Sequence, residues 1–166
     1  MHTIRNLYGG YVLHQSNVKR KKSNKKITGG VNKTSRRKLN SAQSSSSLAT
    51  AFLSMLNTVK LYHWKTTSYA QHVATDELYL KLNKHIDKFM EVYLGKEESR
   101  IKKMRKHLTL THPKTIEDMK IQLYGYRDYL IDMNKVLDPN KDTDLLNVRD
   151  EILADINQVL YLFTFK

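Results

Sequence analysis

The chain has 166 residues, enough for one domain of ordinary size plus an extension. It has no cysteine, which excludes disulfides, thiolate metal sites and cysteine nucleophiles. The net charge of +13 is unevenly placed: residues 1–46 carry eleven Lys/Arg and no Asp or Glu, while residues 47–166 carry 18 against 16, a net of +2.

Residues 1–46 are rich in Lys, Asn, Ser and Gly, with isolated apolar residues and no helical or strand period. Such a stretch buries too little apolar surface to offset the entropy of ordering, so the sequence predicts a disordered basic tail. Lys19, Arg20, Lys21, Lys22, Lys25, Lys26, Lys33, Arg36, Arg37 and Lys38 make it an electrostatic ligand for phosphate backbones, which predicts sequence-independent binding of nucleic acid, DNA foremost. Tyr8 and Tyr11 stand apart from the lysines, so base stacking is not indicated. A nuclear-localisation signal in "KRKKSNKK", or a merely solubilising tail, is the alternative reading. The glycine doublets in "LYGGY" and "ITGGV" resemble the site cut by adenovirus-type maturation proteases, which implies trimming after Gly10 or Gly30 in a virion protein. No apolar run is long enough to span a membrane and no signal peptide is visible, so an intracellular location (nucleoid or nucleus) or a virion interior is expected.

From Leu48 the period becomes helical. Leu48, Phe52, Met55/Leu56, Val59 and Tyr62 mark a first helix ending near Trp64–Thr67, with the serines of "SAQSSSS" as its N-cap. A second helix is expected from Gln71 to Leu94, closed by Gly95 as C-cap, with Tyr79, Leu82, Ile86, Phe89 and Tyr93 as its seam. Residues 96–112 form a basic connection containing Arg100, Lys102, Lys103, Arg105 and Lys106, long enough for a crossover or a short helix. Pro113 and Thr115 introduce a third helix, with Ile116, Met119, Leu123, Tyr126, Leu130, Met133 and Leu137 inward. After the turn "LDPNKDTD" a fourth runs from about Asp144 with Leu145, Val148, Ile152, Ile156, Val159/Leu160 and Phe163 apolar. Four amphipathic helices without a strand signal predict an all-α fold, a four-helix bundle over residues 47–166.

On the second helix His72, Asp76, Asn83, Asp87 and Glu91 fall within about 100° of one another, beside the apolar seam. Leu80, Met90 and Leu94 share that face, a mixture suited to a subunit interface. Asp87 and Glu91 are i, i+4 neighbours that can aim at one point, and His63 extends the buried side of the first helix. Imidazole plus carboxylates with open positions suits non-haem Fe(II), although solvated carboxylates and a satisfied core histidine fit the same spacing.

His63-Trp64, His72-x-x-x-Asp76 and Asp87-x-x-x-Glu91 together resemble the metal-site signature of the Dps family, the ferritin-like DNA-binding proteins from starved cells, and the ending "DLLNVRDEILADINQVLYLF" resembles that family's last helix. The resemblance implies a ferritin-like bundle and a site shared between two chains. His63, His72 and Asp76 would come from one chain and Asp87 and Glu91 from its two-fold mate, with Trp64 beside them. It implies Fe(II) binding and oxidation by peroxide, in a dimer or a hollow dodecamer, and DNA binding by the N-terminal tail. The chain departs from the pattern in a shorter loop between His63 and His72 that lacks a glycine, and in Met90 and Val92 around Glu91. These departures leave open a non-enzymatic nucleoid or virion-core packaging protein with a degenerate site, and the Met/Leu face leaves open a helical adaptor.

Overall fold

In the computed structural model, residues 34–102, 104 and 107–165 are described, with side chains from Ser45 onward. Four helices carry them: α1 (Thr34–Lys65), α2 (Tyr69–Lys96), α3 (Ile116–Asp132) and α4 (Thr143–Leu162), with a 3₁₀ turn (Met133–Lys135) after α3. Among the described residues there is no strand, and no helix is long and apolar enough to cross a membrane.

α1 starts well before Leu48, inside the segment read as unstructured, while residues 1–33 lie outside the described residues. The apolar period marks where α1 packs, not where its backbone begins: Ala49, Phe52, Met55, Leu56, Val59 and Tyr62 are buried. α2 is longer than expected at both ends. Ser68 is its N-cap. At the other end Gly95 is still helical, and Glu98 takes the left-handed conformation at φ 45° that glycine usually supplies. Ser99 N–H donates to Leu94 O (3.0 Å) and Glu98 N–H to Gly95 O (3.1 Å), the paired closure of a Schellman motif.

Thr115 opens α3 with a capping box, as its position after Pro113 predicts. Asp118 Oδ2 accepts from the backbone N–H of Lys114 and Thr115, both at 3.0 Å, and these bonds hold its carboxyl below the usual carboxylate range. The far end of α3 is closed from α4. Buried Arg149 donates to Leu130 O (2.8 Å), which also accepts from the Met133 N–H, and to Asn134 Oδ1 (2.9 Å).

Neighbouring helices run antiparallel. Phe52 of α1 meets Phe89 of α2, while Lys60 meets Asp76. Lys81 of α2 meets Gln158 of α4, and Lys96 meets Asp144. Phe52 also meets Tyr129 of α3, whereas Tyr62 lies in the field of Glu117 and Asp118 at the start of α3. It follows that α2 and α3 point the same way, so the connection between them must return along the length of the helices. It does so beside α1. Met104 Sδ accepts from Ser46 Oγ (3.9 Å), Thr111 Oγ1 is hydrogen-bonded to Thr58 Oγ1 (3.0 Å), and Pro113 O accepts from Lys65 Nζ (3.2 Å). The described residues of this connection contain no helix. All four helices contribute to one apolar core, with Phe52, Val59, Leu82, Met119, Leu123, Leu130, Ile152 and Ile156 fully enclosed.

Candidate functional site

The α1–α2 corner is fixed by a small polar network. Gln71 Oε1 accepts from Tyr62 Oη and from Thr66 Oγ1, both at 2.7 Å, and Thr66 Oγ1 accepts from Ser68 N–H at 3.2 Å. This holds the last turn of α1 against the first turns of α2 and brings His63 onto His72.

The two imidazoles stack, with centroids 3.9 Å apart and planes 24° from parallel. Each is bonded to the other's backbone: His63 Nδ1 to His72 O at 3.0 Å, and His72 Nδ1 to His63 O at 3.1 Å. A carbonyl oxygen only accepts, so both rings donate from Nδ1. Metal-binding histidines are oriented in this way, with the second ring nitrogen donating to a carbonyl or carboxylate. Asp76 Oδ1 lies 3.6 Å from His63 Nε2. His63 is therefore stacked on His72 and stands beside Asp76, and the missing loop glycine does not prevent it.

Asp76 has a second neighbour that sequence reasoning missed. Lys60 Nζ is 3.2 Å from the same Oδ1, and it stands over the rings of Tyr79 (4.6 Å) and Trp64 (5.9 Å). Lys60 is one turn before His63, and in an antiparallel hairpin with so short a turn that position falls opposite Asp76. That register was the available signal. Trp64 is 68 % exposed, so within one chain it covers Lys60 only from a distance.

Asp87 and Glu91 are exposed, and at 1.5 Å per residue they lie about 16 and 22 Å along α2 from Asp76. One chain does not unite the five expected ligands, and among the described residues no three His, Asp or Glu side chains are grouped to hold a metal ion. The face between them is apolar in part: Leu80 is 63 % exposed and Val73 45 %, and Leu53 is exposed on the adjoining side of α1. Met90 and Leu94 are half-buried.

His85, one helical face away, was also missed. Its Nδ1 donates to Asp155 Oδ2 at 2.7 Å, and its Nε2 is 3.4 Å from Glu151 Oε2. Both partners are on α4, far away in sequence, so nothing local announces the cluster. A carboxylate stands against each ring nitrogen, so this imidazole is held from both sides inside the chain. The tail residues Lys19, Arg20, Lys21, Lys22, Lys25, Lys26 and Lys33 lie outside the described residues, and Arg36, Arg37 and Lys38 lie on α1 ahead of its described side chains.

Residues 63–163 match the model of a protein family described as "Family of unknown function (DUF5856)". The chain belongs to that family. The DUF5856 match opens on His63, takes in all five expected ligands and the α2–α4 seam, and leaves the basic N-terminal segment outside. No curated protein and no solved structure matches the chain.

Proposed function

We propose that this is a ferritin-like, Dps-type protein that binds Fe(II) as substrate at a site completed by a second copy of itself and binds nucleic acid through its N-terminal segment. One observation carries the reading. His63 and His72 stack at the α1–α2 corner, each ring held through Nδ1 by the other's backbone carbonyl, with Asp76 beside His63 and with Asp87 and Glu91 exposed further along α2. Two helices meeting a two-fold mate antiparallel would place each half-site opposite the other chain's carboxylates, with Leu80 and Val73 between them. The donor set of imidazole and carboxylate suits Fe(II). A single long crossover beside α1, with α2 and α3 parallel, supports a ferritin-like four-helix bundle.

In that site the histidines bind and orient Fe(II), and their Nδ1–H bonds to backbone carbonyls keep them in the binding tautomer. Two Fe(II) give one electron each to a peroxide, which takes up two protons and leaves as two waters. Lys60 favours a second reading. Its ammonium already neutralises Asp76 and would repel an arriving cation, as expected in a packaging protein whose site no longer oxidises iron.

Anaerobic loading with Fe(II), followed by peroxide, separates the two. Ferric absorbance should rise fast in the native protein and slowly in a His63→Ala/Asp87→Ala variant; identical traces would leave the packaging reading. For the nucleic-acid half, neutralisation of about ten phosphates predicts that log K falls with log[salt] with a slope near −9, measured by fluorescence anisotropy on duplexes of unrelated sequence.

A further inference from the structure

The end of the helix stack where α2 and α3 finish and α4 begins holds a cavity of about 670 Å³. Leu48, Phe89, Tyr93, Tyr129, Met133 and Leu145 wall it, and Val136 stands at its edge, 79 % exposed. Its size lies in the range that accepts ligand-sized apolar groups. Burial pushes the Tyr129 phenol up to about 12, as expected of a wall that water reaches poorly.

The place where the chain leaves the described structure points to an occupant. α1 departs from this same end towards Thr34, and residues 1–33 lie beyond it. Their apolar side chains gather in one place, Leu7, Tyr8, Tyr11, Val12 and Leu13; elsewhere the segment is polar or basic with single aliphatic residues. Reach is ample. The chain from Leu13 to Thr34 can extend about 70 Å, whereas α1 from Thr34 back to Leu48 covers only about 21 Å. Charge agrees as well. Glu97, Glu98, Asp132, Asp138, Asp142 and Asp144 outnumber Lys96, Arg100, Lys135 and Lys141 at this end, four of the acids being ion-paired to the lysines, while residues 1–33 contain no acid.

We propose that Leu7–Leu13 of the chain's own N-terminal segment docks in this cavity. The lysines of residues 19–26 are then carried on a loop anchored at both ends, and occupation of the cavity is coupled to how the basic segment meets a polyanion. The proposal is independent of the iron chemistry.

Because the chain has no cysteine, an introduced pair is the only one present. In the full-length protein, Asn6→Cys with Val136→Cys should oxidise to an intrachain disulfide at least tenfold faster than Asn6→Cys with Tyr161→Cys. Tyr161 is exposed near the other end of α4, about 27 Å from its start. The excess should vanish when Leu7, Tyr11, Val12 and Leu13 are all changed to Ser. Equal rates for the two pairs, an excess that survives the serine changes, or a bridge between two chains on a non-reducing gel would each overturn intrachain docking.

Discussion

The two faces of α2 use the same residue types for opposite purposes. Its inner face sets Leu78, Leu82, Ile86 and Phe89 into the core and closes His85 between Asp155 and Glu151 of α4. Its outer face carries Leu80, His72, Asp76, Asp87 and Glu91, and there the apolar side chain is exposed and the imidazole is hydrogen-bonded through Nδ1. Composition alone does not separate the two histidines of this helix, His72 and His85. What separates them is whether both ring nitrogens are claimed inside one chain.

The largest effect should come from the leucines. Leu82→Ala opens a fully enclosed position and should cost about 2–5 kcal/mol in urea unfolding. Leu80→Ala, on the exposed face, should stay within about 0.5 kcal/mol of the native protein and weaken the proposed self-association, read by sedimentation, instead. Equal losses at the two positions would erase the distinction between the faces. The histidines come next. His85→Ala strips Asp155, whose side chain is only 11 % exposed, of its donor and should cost about 1–3 kcal/mol without altering the iron oxidation proposed above. His72→Ala should reverse that pattern, with about 1 kcal/mol or less lost in stability and the proposed oxidation abolished.

A third effect depends on pH. Lys96 at the end of α2 holds the carboxyls of Asp142 and Asp144 below the usual carboxylate range, and the same contacts hold its own ammonium above its ordinary value. For the aspartates, whose folded values are depressed, the contribution to stability is complete above about pH 4 and is lost as pH falls through the folded values. For the lysine, whose folded value is raised, it is complete below its ordinary value and is lost as pH rises through the folded one. The difference in Tm between the native protein and Lys96→Met should therefore be widest near neutrality and close on acidification towards about pH 2. The smallest effects are gains. Glu98→Gly should add about 0.4–1 kcal/mol by relieving the left-handed residue. Gly95→Ala should add about 0.5–1 kcal/mol, since a Cβ there meets nothing within 4 Å.

Glycine and glutamate at this helix end also show where sequence reading stops. A glycine after a long apolar period reads as a cap, but α2 runs on until the chain can turn towards α1, and that point is set by packing. The seams of α3 and α4 were legible because burial enforces their period, and Met119, Leu123, Tyr126 and Leu130, like Val148, Ile152 and Ile156, are buried as expected. The start of α1 was not, since its first turns lack an apolar stripe to announce them. In the candidate site, His63 meets His72 because a three-residue turn fixes their register, while Asp87 and Glu91 stay apart from them within one chain. Lys60 required that register to be followed one turn further, and His85 required knowing that α4 lies against α2.

The connection beside α1 divides the chain into two hairpins, α1 with α2 and α3 with α4, each made by contacts local in sequence. The α1–α3 and α2–α4 contacts join them across long stretches of chain, and the connection mainly sets the effective concentration of one half for the other. A single cut between Ser99 and His112 would leave every helix and every helix pair in place. Such a molecule is a heterodimer in waiting, two hairpins that share one core and differ from the intact chain chiefly in how fast the halves find each other.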